Sequence, residues 1–142
     1  MKKLIFLLCT LLAACSQSPN NPGNGGTLIS DSFKVSFSPL KDAFFVGIGE
    51  TSTLTVSVDI TKPAEVAQLE LLISSGVTYL SISPLSKLLR DGDKIPIHVT
   101  VAAEAAAGDK PFFTVTVQGV DASGKVISGQ EQVRQDFQWV LP

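Results

Sequence analysis

Apolar and polar side chains alternate along most of the chain from residue 28 onward, and a period of two marks half-buried β-strands. Phe33, Val35 and Phe37 alternate with Lys34, Ser36 and Ser38. After Gly49-Glu50, Leu54, Val56, Val58 and Ile60 alternate with Thr53, Thr55, Ser57 and Asp59. One face of that run is apolar and the other is wet, as in a two-layer antiparallel structure. Lys62-Pro63 closes it, and Ala67, Leu69, Leu71 and Ile73 open a further run that stops at Ser74-Ser75-Gly76. A weaker strand is expected over residues 77–83, before Pro84. Ser86-Lys87-Leu88-Leu89-Arg90 then leads to a turn at Asp91-Gly92-Asp93, followed by the alternating set Ile95, Ile97, Val99 and Val101. Pro96 has no N–H to give to a ladder, so that strand is expected to begin there or to lie at a sheet edge. Phe113, Val115 and Val117 form the next inward set. Asp121-Ala122-Ser123-Gly124 reads as a hairpin loop into a last strand whose inward residues are Val133, Phe137, Trp139 and Leu141.

Helix formers cluster at residues 63–72 and 102–107, and Pro63 suits the first position of a helical turn. A loop followed by a strand is preferred at the first site, because too few residues separate the neighbouring strands for a packed helix. Residues 102–107 read as a connection. The pattern predicts an all-β antiparallel β-sandwich of about seven or eight short strands over residues 28–142.

The first fourteen residues differ in kind. Met1-Lys2-Lys3 is a short positive segment, and Leu4-Ile5-Phe6-Leu7-Leu8-Cys9-Thr10-Leu11-Leu12 is apolar but far short of the roughly 20 residues that span a bilayer. Leu12-Ala13-Ala14-Cys15 follows, two small residues before a cysteine that opens a polar stretch. This segment resembles the lipobox signal peptide of bacterial lipoproteins. The resemblance implies cleavage before Cys15, diacylation of its thiol (a palmitate-type modification) and frequent acylation of the new amino terminus. The alternative is an ordinary secretory signal with a chance cysteine after the small pair. In that family the residue after the cysteine influences sorting, and Ser16, not an aspartate, favours the outer membrane where the organism has one. Residues 16–27 carry only Ser, Gln, Pro, Asn, Gly and Thr, a flexible solvated linker. The expected organisation is therefore a removed signal over 1–14, a lipidated cysteine and linker over 15–27, and one domain over 28–142.

Composition narrows the function classes. The 142 residues are 44% apolar and 17% charged, with a net charge of −2 and a mean hydropathy of +0.30. These values suit one globular domain plus a targeting segment. Loss of Lys2 and Lys3 makes the remainder more acidic, which argues against nucleic acid or anionic lipid as a partner. Cys9 would leave with the signal and Cys15 would carry lipid, so no thiol remains for a disulfide and the exported domain must be held by its core.

Three segments then carry a second resemblance. Gly49-Glu50-Thr51-Ser52-Thr53-Leu54-Thr55-Val56, Asp91-Gly92-Asp93-Lys94-Ile95-Pro96-Ile97-His98-Val99 and Ala107-Gly108-Asp109-Lys110-Pro111-Phe112-Phe113-Thr114-Val115-Thr116-Val117 are similar to the pattern of bacterial immunoglobulin-like modules. Such modules occur in cell-surface proteins and beside glycosidase catalytic domains. The matching positions, about residues 45–125, are turn glycines and core residues, with Pro111 and a second phenylalanine departing from the family's spacing. The resemblance implies an immunoglobulin-like sandwich and functions as varied as spacer, adhesion module and assembly partner, with no catalytic residue carried over.

Few residues are left for catalytic or metal chemistry. His98 is the one histidine and falls on an outward strand position, which leaves no Ser-His-Asp or Cys-His set. One histidine and no free cysteine do not make a zinc site. Gly47-Ile48-Gly49 lacks the Lys-Ser/Thr of a phosphate loop and precedes a strand. Asp91, Asp93, Asp109 and Asp121 fall in loops, where turn formation competes with a calcium site that would need six to eight oxygens. Glu65/Glu70 and Glu131/Asp136 read as solubilising charge. No metal, cofactor or catalytic residue is expected.

Phe33, Phe37, Phe113, Phe137 and Trp139 sit on inward registers, and only one of the adjacent Phe44 and Phe45 can face the core. Phe112 and Tyr79 are the aromatics left over, a candidate binding surface of the kind sugars require. The sequence thus predicts a non-catalytic envelope lipoprotein attached through Cys15. Its domain is expected to meet an envelope protein or a polysaccharide, with a carbohydrate- or cell-wall-binding module as the alternative.

Overall fold

The computed structural model describes residues 26–127 and 131–142. Among them run nine strands: β1 (Thr27–Ile29), β2 (Phe33–Ser38), β3 (Thr51–Ile60), β4 (Gln68–Ser74), β5 (Leu80–Ser83), β6 (Ser86–Leu89), β7 (Lys94–Val101), β8 (Phe112–Val120) and β9 (Gln132–Gln138). They form a five-stranded sheet in the order β1-β2-β3-β7-β5 and a four-stranded sheet in the order β6-β4-β8-β9. Every pairing is antiparallel. Helical structure among the described residues is one 3-10 turn, Lys41–Ala43.

The count exceeds the seven or eight strands expected, because two short edge strands escaped the alternation. Thr27, read as the last linker residue, opens β1, which pairs with β2 from Leu28↔Val35 outward. Ser86 to Leu89, read as a lead-in to a turn, is β6 and pairs with β4 through Leu69↔Leu89. The weak strand expected over 77–83 is confined to Leu80–Ser83, and the first residues of that stretch form a turn. Residues 63–65 form turns, and the segment before β4 holds no helix.

Pro96 departs furthest from the expected position. It is the third residue of β7, which lies inside its sheet between β3 and β5, neither at a strand start nor on an edge strand. Val58 N donates to Asp93 O and Val101 N to Glu50 O, so odd-numbered residues of β7 bond to β3. The Pro96 nitrogen therefore faces the β5 side. There β5 reaches only from Leu80↔Val101 to Ser83↔His98 before the chain leaves for the other sheet. The missing donor costs no bond, because no strand stands opposite it.

The two inner faces close on one continuous core. Phe33, Val35 and Phe37 of β2 and Leu54, Val56, Val58 and Ile60 of β3 face Leu69, Leu71 and Ile73 of β4 and Phe113, Val115 and Val117 of β8. Phe113 and Phe137 stack with ring centroids 4.8 Å apart. Phe44 stands edge-on to both, at 5.9 Å and 5.8 Å, and to Trp139 at 5.6 Å. Edge-to-face and offset-stacked pairs place positive ring edges on negative faces, which adds to the stabilisation from burial.

The connections gather at two ends. Residues 39–50, 75–79, 102–111 and 139–142 lie at one end, held together by Gly49 N to Val101 O, Gly108 N to Leu141 O and Leu141 N to Asp109 O. Gly108 has φ +90° with open space around it, so the left-handed backbone, not crowding, calls for glycine there. Thr27 pairs with Ser36, which pairs with Ser57, so β1 begins part-way along the side of the five-stranded sheet and not at this end. The β1–β2, β3–β4, β6–β7 and β8–β9 connections lie at the other end.

Candidate functional site

Each residue that carried candidate chemistry has a structural partner. His98 is exposed on the outer face of the five-stranded sheet, its Nδ1 3.1 Å from Thr53 Oγ1. Asp91 Oδ1 accepts from Ile60 N at 2.8 Å, Asp93 Oδ2 from Arg90 N at 2.8 Å, and Asp109 Oδ2 from Ala106 N at 2.9 Å. Asp121 Oδ1 accepts from Ser123 Oγ and from the Ser123 and Lys125 nitrogens. The Ser123 hydroxyl, then the Lys125 N–H, hold the Asp121 carboxyl below its ordinary value of 3.8. These aspartates thus serve their own turns, and Asp109 stands at the opposite end of the sandwich from the other three. Among the described residues no group of three or more His, Cys, Asp or Glu side chains is placed to hold a metal ion.

One cluster was not visible in the sequence. The fully buried Ser32 Oγ lies 2.9 Å from Glu65 Oε2 and 2.7 Å from Glu131 Oε1, and Ser30 Oγ lies 3.3 Å from Glu131 Oε2. Its one proton serves one carboxylate at a time. Glu65 and Glu131 are brought together by the β1–β2 turn, whereas the pairs considered from sequence are not. Glu70 accepts from Gln118 Nε2 at 2.7 Å, and Asp136 takes Thr114 Oγ1 at 2.8 Å and Arg134 Nε at 3.3 Å. The serine, the two glutamates and the β1–β2 turn form a polar latch that fastens the β3–β4 and β8–β9 connections to β2.

Phe33, Phe37, Phe113, Phe137 and Trp139 are all in the core, and Phe44 joins them at 3% exposure while Phe45 is 48% exposed. Phe112 opens β8 and faces outward from the four-stranded sheet, with its carbonyl accepting from Ser75 Oγ at 2.7 Å. Tyr79 precedes β5 in the five-stranded sheet, partly buried against the core. Burial first, and the Asp109 charge second, push its phenol upward from 10.0. Both residues belong to the same end of the sandwich but to different sheets, and no shared aromatic platform joins them. Cys15 and the signal segment lie outside the described residues. No helix among the described residues is long and apolar enough to cross a membrane.

No protein-family model matches the sequence, and no curated protein is significantly similar to it. Among solved structures, a conjugative transposon lipoprotein from Bacteroides eggerthii matches with a TM-score of 0.56 at 14% identity, over 78% of this chain and 98% of that one. The chain is an immunoglobulin-like β-sandwich. Its β2-β3-β7-β5 and β4-β8-β9 groups reproduce the four-plus-three arrangement of that architecture, with β1 and β6 added at the edges. At 14% identity the likeness is one of fold. The ASH/PapD-like domain of human CEP192 matches with a TM-score of 0.48 at 14% identity, over 77% of this chain and 82% of that one. SSP-19, an MSP-domain protein-like family member in Caenorhabditis elegans, matches with a TM-score of 0.49 at 13% identity, over 67% and 90%.

Proposed function

We propose that this protein is a non-catalytic cell-envelope lipoprotein, held on the membrane by acyl chains on Cys15, whose immunoglobulin-like domain is a structural or protein-interaction module. The observation that carries this reading is a pairing of two features. A sandwich whose loop carboxylates and histidine are engaged by its own turns and ladders follows a polar linker and a lipobox-like segment. The fold shared with a conjugative transposon lipoprotein, over nearly that protein's whole length, supports it. Two or three acyl chains hold a protein stably where one binds marginally, so the anchor needs no membrane-spanning helix. Ser16 favours the outer membrane where one exists.

An edge strand is the natural surface for a protein partner, because its outward N–H and C=O groups accept a further strand. The seven-residue β9 is the longest edge strand, whereas β6 has four residues and carries Lys87. The carbohydrate- or cell-wall-binding reading would rest on Phe112 and Tyr79, which stand on different sheets. Crosslinking in intact cells is expected to recover a defined envelope protein with the wild type. A lipidated protein that crosslinks to nothing contradicts the proposal. Co-sedimentation with cell-wall material that falls in Phe112→Ala and Tyr79→Ala would put the second reading ahead.

A further inference from the structure

We infer that β9 is the surface on which two copies of this chain pair, edge to edge and antiparallel, with Gln135 of each copy on the two-fold axis. The inference rests on the reading of the domain as a protein-interaction module and deepens it by naming a second copy as the partner. β9 lies at one edge of the four-stranded sheet, and among the described residues it pairs with β8 alone. Gly119 N donates to Glu131 O and Trp139 N to Pro111 O, so the odd-numbered residues of β9 bond to β8. The N–H and C=O groups of Gln132, Arg134, Asp136 and Gln138 therefore point to the open side. Among the described residues no backbone group bonds to them, and the Asp136 carbonyl is met by the side chain of its neighbour Gln135, with Nε2 at 2.9 Å. An uncovered ladder of this kind is a template for another strand.

The order of residues along β9 makes the strand complementary to itself. Gln132-Val133-Arg134-Gln135-Asp136-Phe137-Gln138 places two glutamines, two apolar residues and two unlike charges symmetrically about Gln135. An antiparallel copy centred there sets Arg134 opposite Asp136 of the copy, Val133 opposite its Phe137 and Gln132 opposite its Gln138. Even-numbered residues meet even-numbered ones, so the free N–H and C=O groups of Arg134 and Asp136 exchange two bonds on each side of the axis. The Asp136 carbonyl has two lone pairs and accepts a second donor beside the Gln135 amide. On the axis, the Gln135 side chain carries both a donor and an acceptor, which suits it to pair with its own copy. Val133 and Phe137, buried in each chain, stay on the core side of the joined sheet.

Charge fixes the register. Shifting the centre by one residue keeps the ladder but sets Arg134 against Arg134 or Asp136 against Asp136, and it shortens the overlap. Like charges directly opposite are destabilising, whereas opposite charges stabilise a strand pair. Within one chain Arg134 Nε lies 3.3 Å from Asp136 Oδ1, with the two side chains 58% and 51% exposed, so both charges remain open to the copy. The other edges offer no such match. β1 has three residues and β5 four, and β6, Ser86-Lys87-Leu88-Leu89, holds no acidic residue to face Lys87. A two-fold axis through Gln135, perpendicular to the sheet, leaves β1 of both copies on the same side of the joined sheet, which two chains anchored to one membrane require.

The test uses the full chain in the membranes of a bacterial host, with Gln132→Cys and Gln138→Cys carried on two differently tagged copies. Pairing about Gln135 sets the two new thiols opposite each other, whereas two copies of the same variant hold theirs about 20 Å apart. Mild oxidation is expected to give a disulfide between the two variants several-fold above that from either variant alone or from the chain without an added cysteine. Arg134→Asp or Asp136→Arg is expected to lower that yield several-fold, and the two together to restore it. Equal yields from mixed and like copies, or no disulfide in any combination, overturn the self-pairing. The comparison of yields with native charges needs neither charge variant, so it stands even where those fold poorly. Capture of a different protein by crosslinking in intact cells, without self-pairing, overturns this inference and leaves the interaction-module reading in place. Capture of nothing overturns both.

Discussion

Trp139 Nε1 donates a hydrogen bond of 2.9 Å to the carbonyl of Val46, across 93 residues of sequence. The bond fastens the long β2–β3 connection to the chain that follows β9, and it satisfies the one polar atom of a ring otherwise packed edge-on to Phe44 and Phe113. Trp139→Phe keeps most of the ring volume and leaves the Val46 carbonyl unpaired. A loss of about 1–3 kcal/mol is expected, read from the denaturant midpoint of the soluble chain starting at Ser16. An unchanged midpoint would mean that water replaces the indole without cost.

Phe44 and Phe45 are adjacent and opposite in role. Phe44→Ala opens a cavity beside Phe113, Phe137 and Trp139 and is expected to cost about 3–5 kcal/mol. Phe45→Ala removes a half-exposed ring and is expected to stay within about 0.5 kcal/mol. Equal effects from the two in the same unfolding experiment would contradict the assignment of sides.

Sequence patterning shows its reach here. The alternation reveals β3, β7 and β8 because each has eight or more residues, enough for four positions on the buried face. It also dictates that only one of Phe44 and Phe45 is buried, but not which, since the neighbouring Val46 and the partner Trp139 decide. Val66 and Gln135 were invisible as core residues. Val66 sits in the turn before β4, and Gln135 is a polar residue on the inward face of β9 at 5% exposure, its Nε2 donating to Asp136 O at 2.9 Å. The meeting of Glu65 and Glu131 at Ser32 depends on two connections folding over one turn, at sequence separations of 33 and 99. No local pattern encodes that. The outward position of His98 was legible because strand parity alone fixes it.

The Ser32 latch gives a separate expectation. Ser32→Ala removes the donor shared by Glu65 and Glu131 and is expected to lower stability by about 1 kcal/mol. Ser81→Ala, an exposed change on β5, is expected to lie within about 0.5 kcal/mol of the wild type. Hydrogen exchange should quicken in the β1–β2 turn of the first variant alone, and protection unchanged there would argue against the latch.

Asp121 supplies a pH-dependent term. Its carboxyl is held below 3.8 in the folded chain, chiefly by the Ser123 hydroxyl and next by the Lys125 N–H. A depressed acid stabilises the fold above its unfolded value and loses that contribution as pH falls through the folded value. The stability difference between wild type and Asp121→Ala is therefore expected to be full near neutral pH and to vanish under strong acid, below 3.8. Carboxyl-carbon NMR titration of Asp121 checks the direction, and a midpoint above 3.8 would refute it.

The anchoring that underlies the functional account is tested most directly by intact mass spectrometry of the full-length chain, recovered from the membranes of a bacterial host. The account predicts a mature protein that begins at Cys15 and carries two or three acyl chains, together with a Cys15→Ser variant that is neither acylated nor retained on the membrane. A wild-type chain cleaved at another bond, or one that begins at Cys15 with a bare thiol, would contradict it.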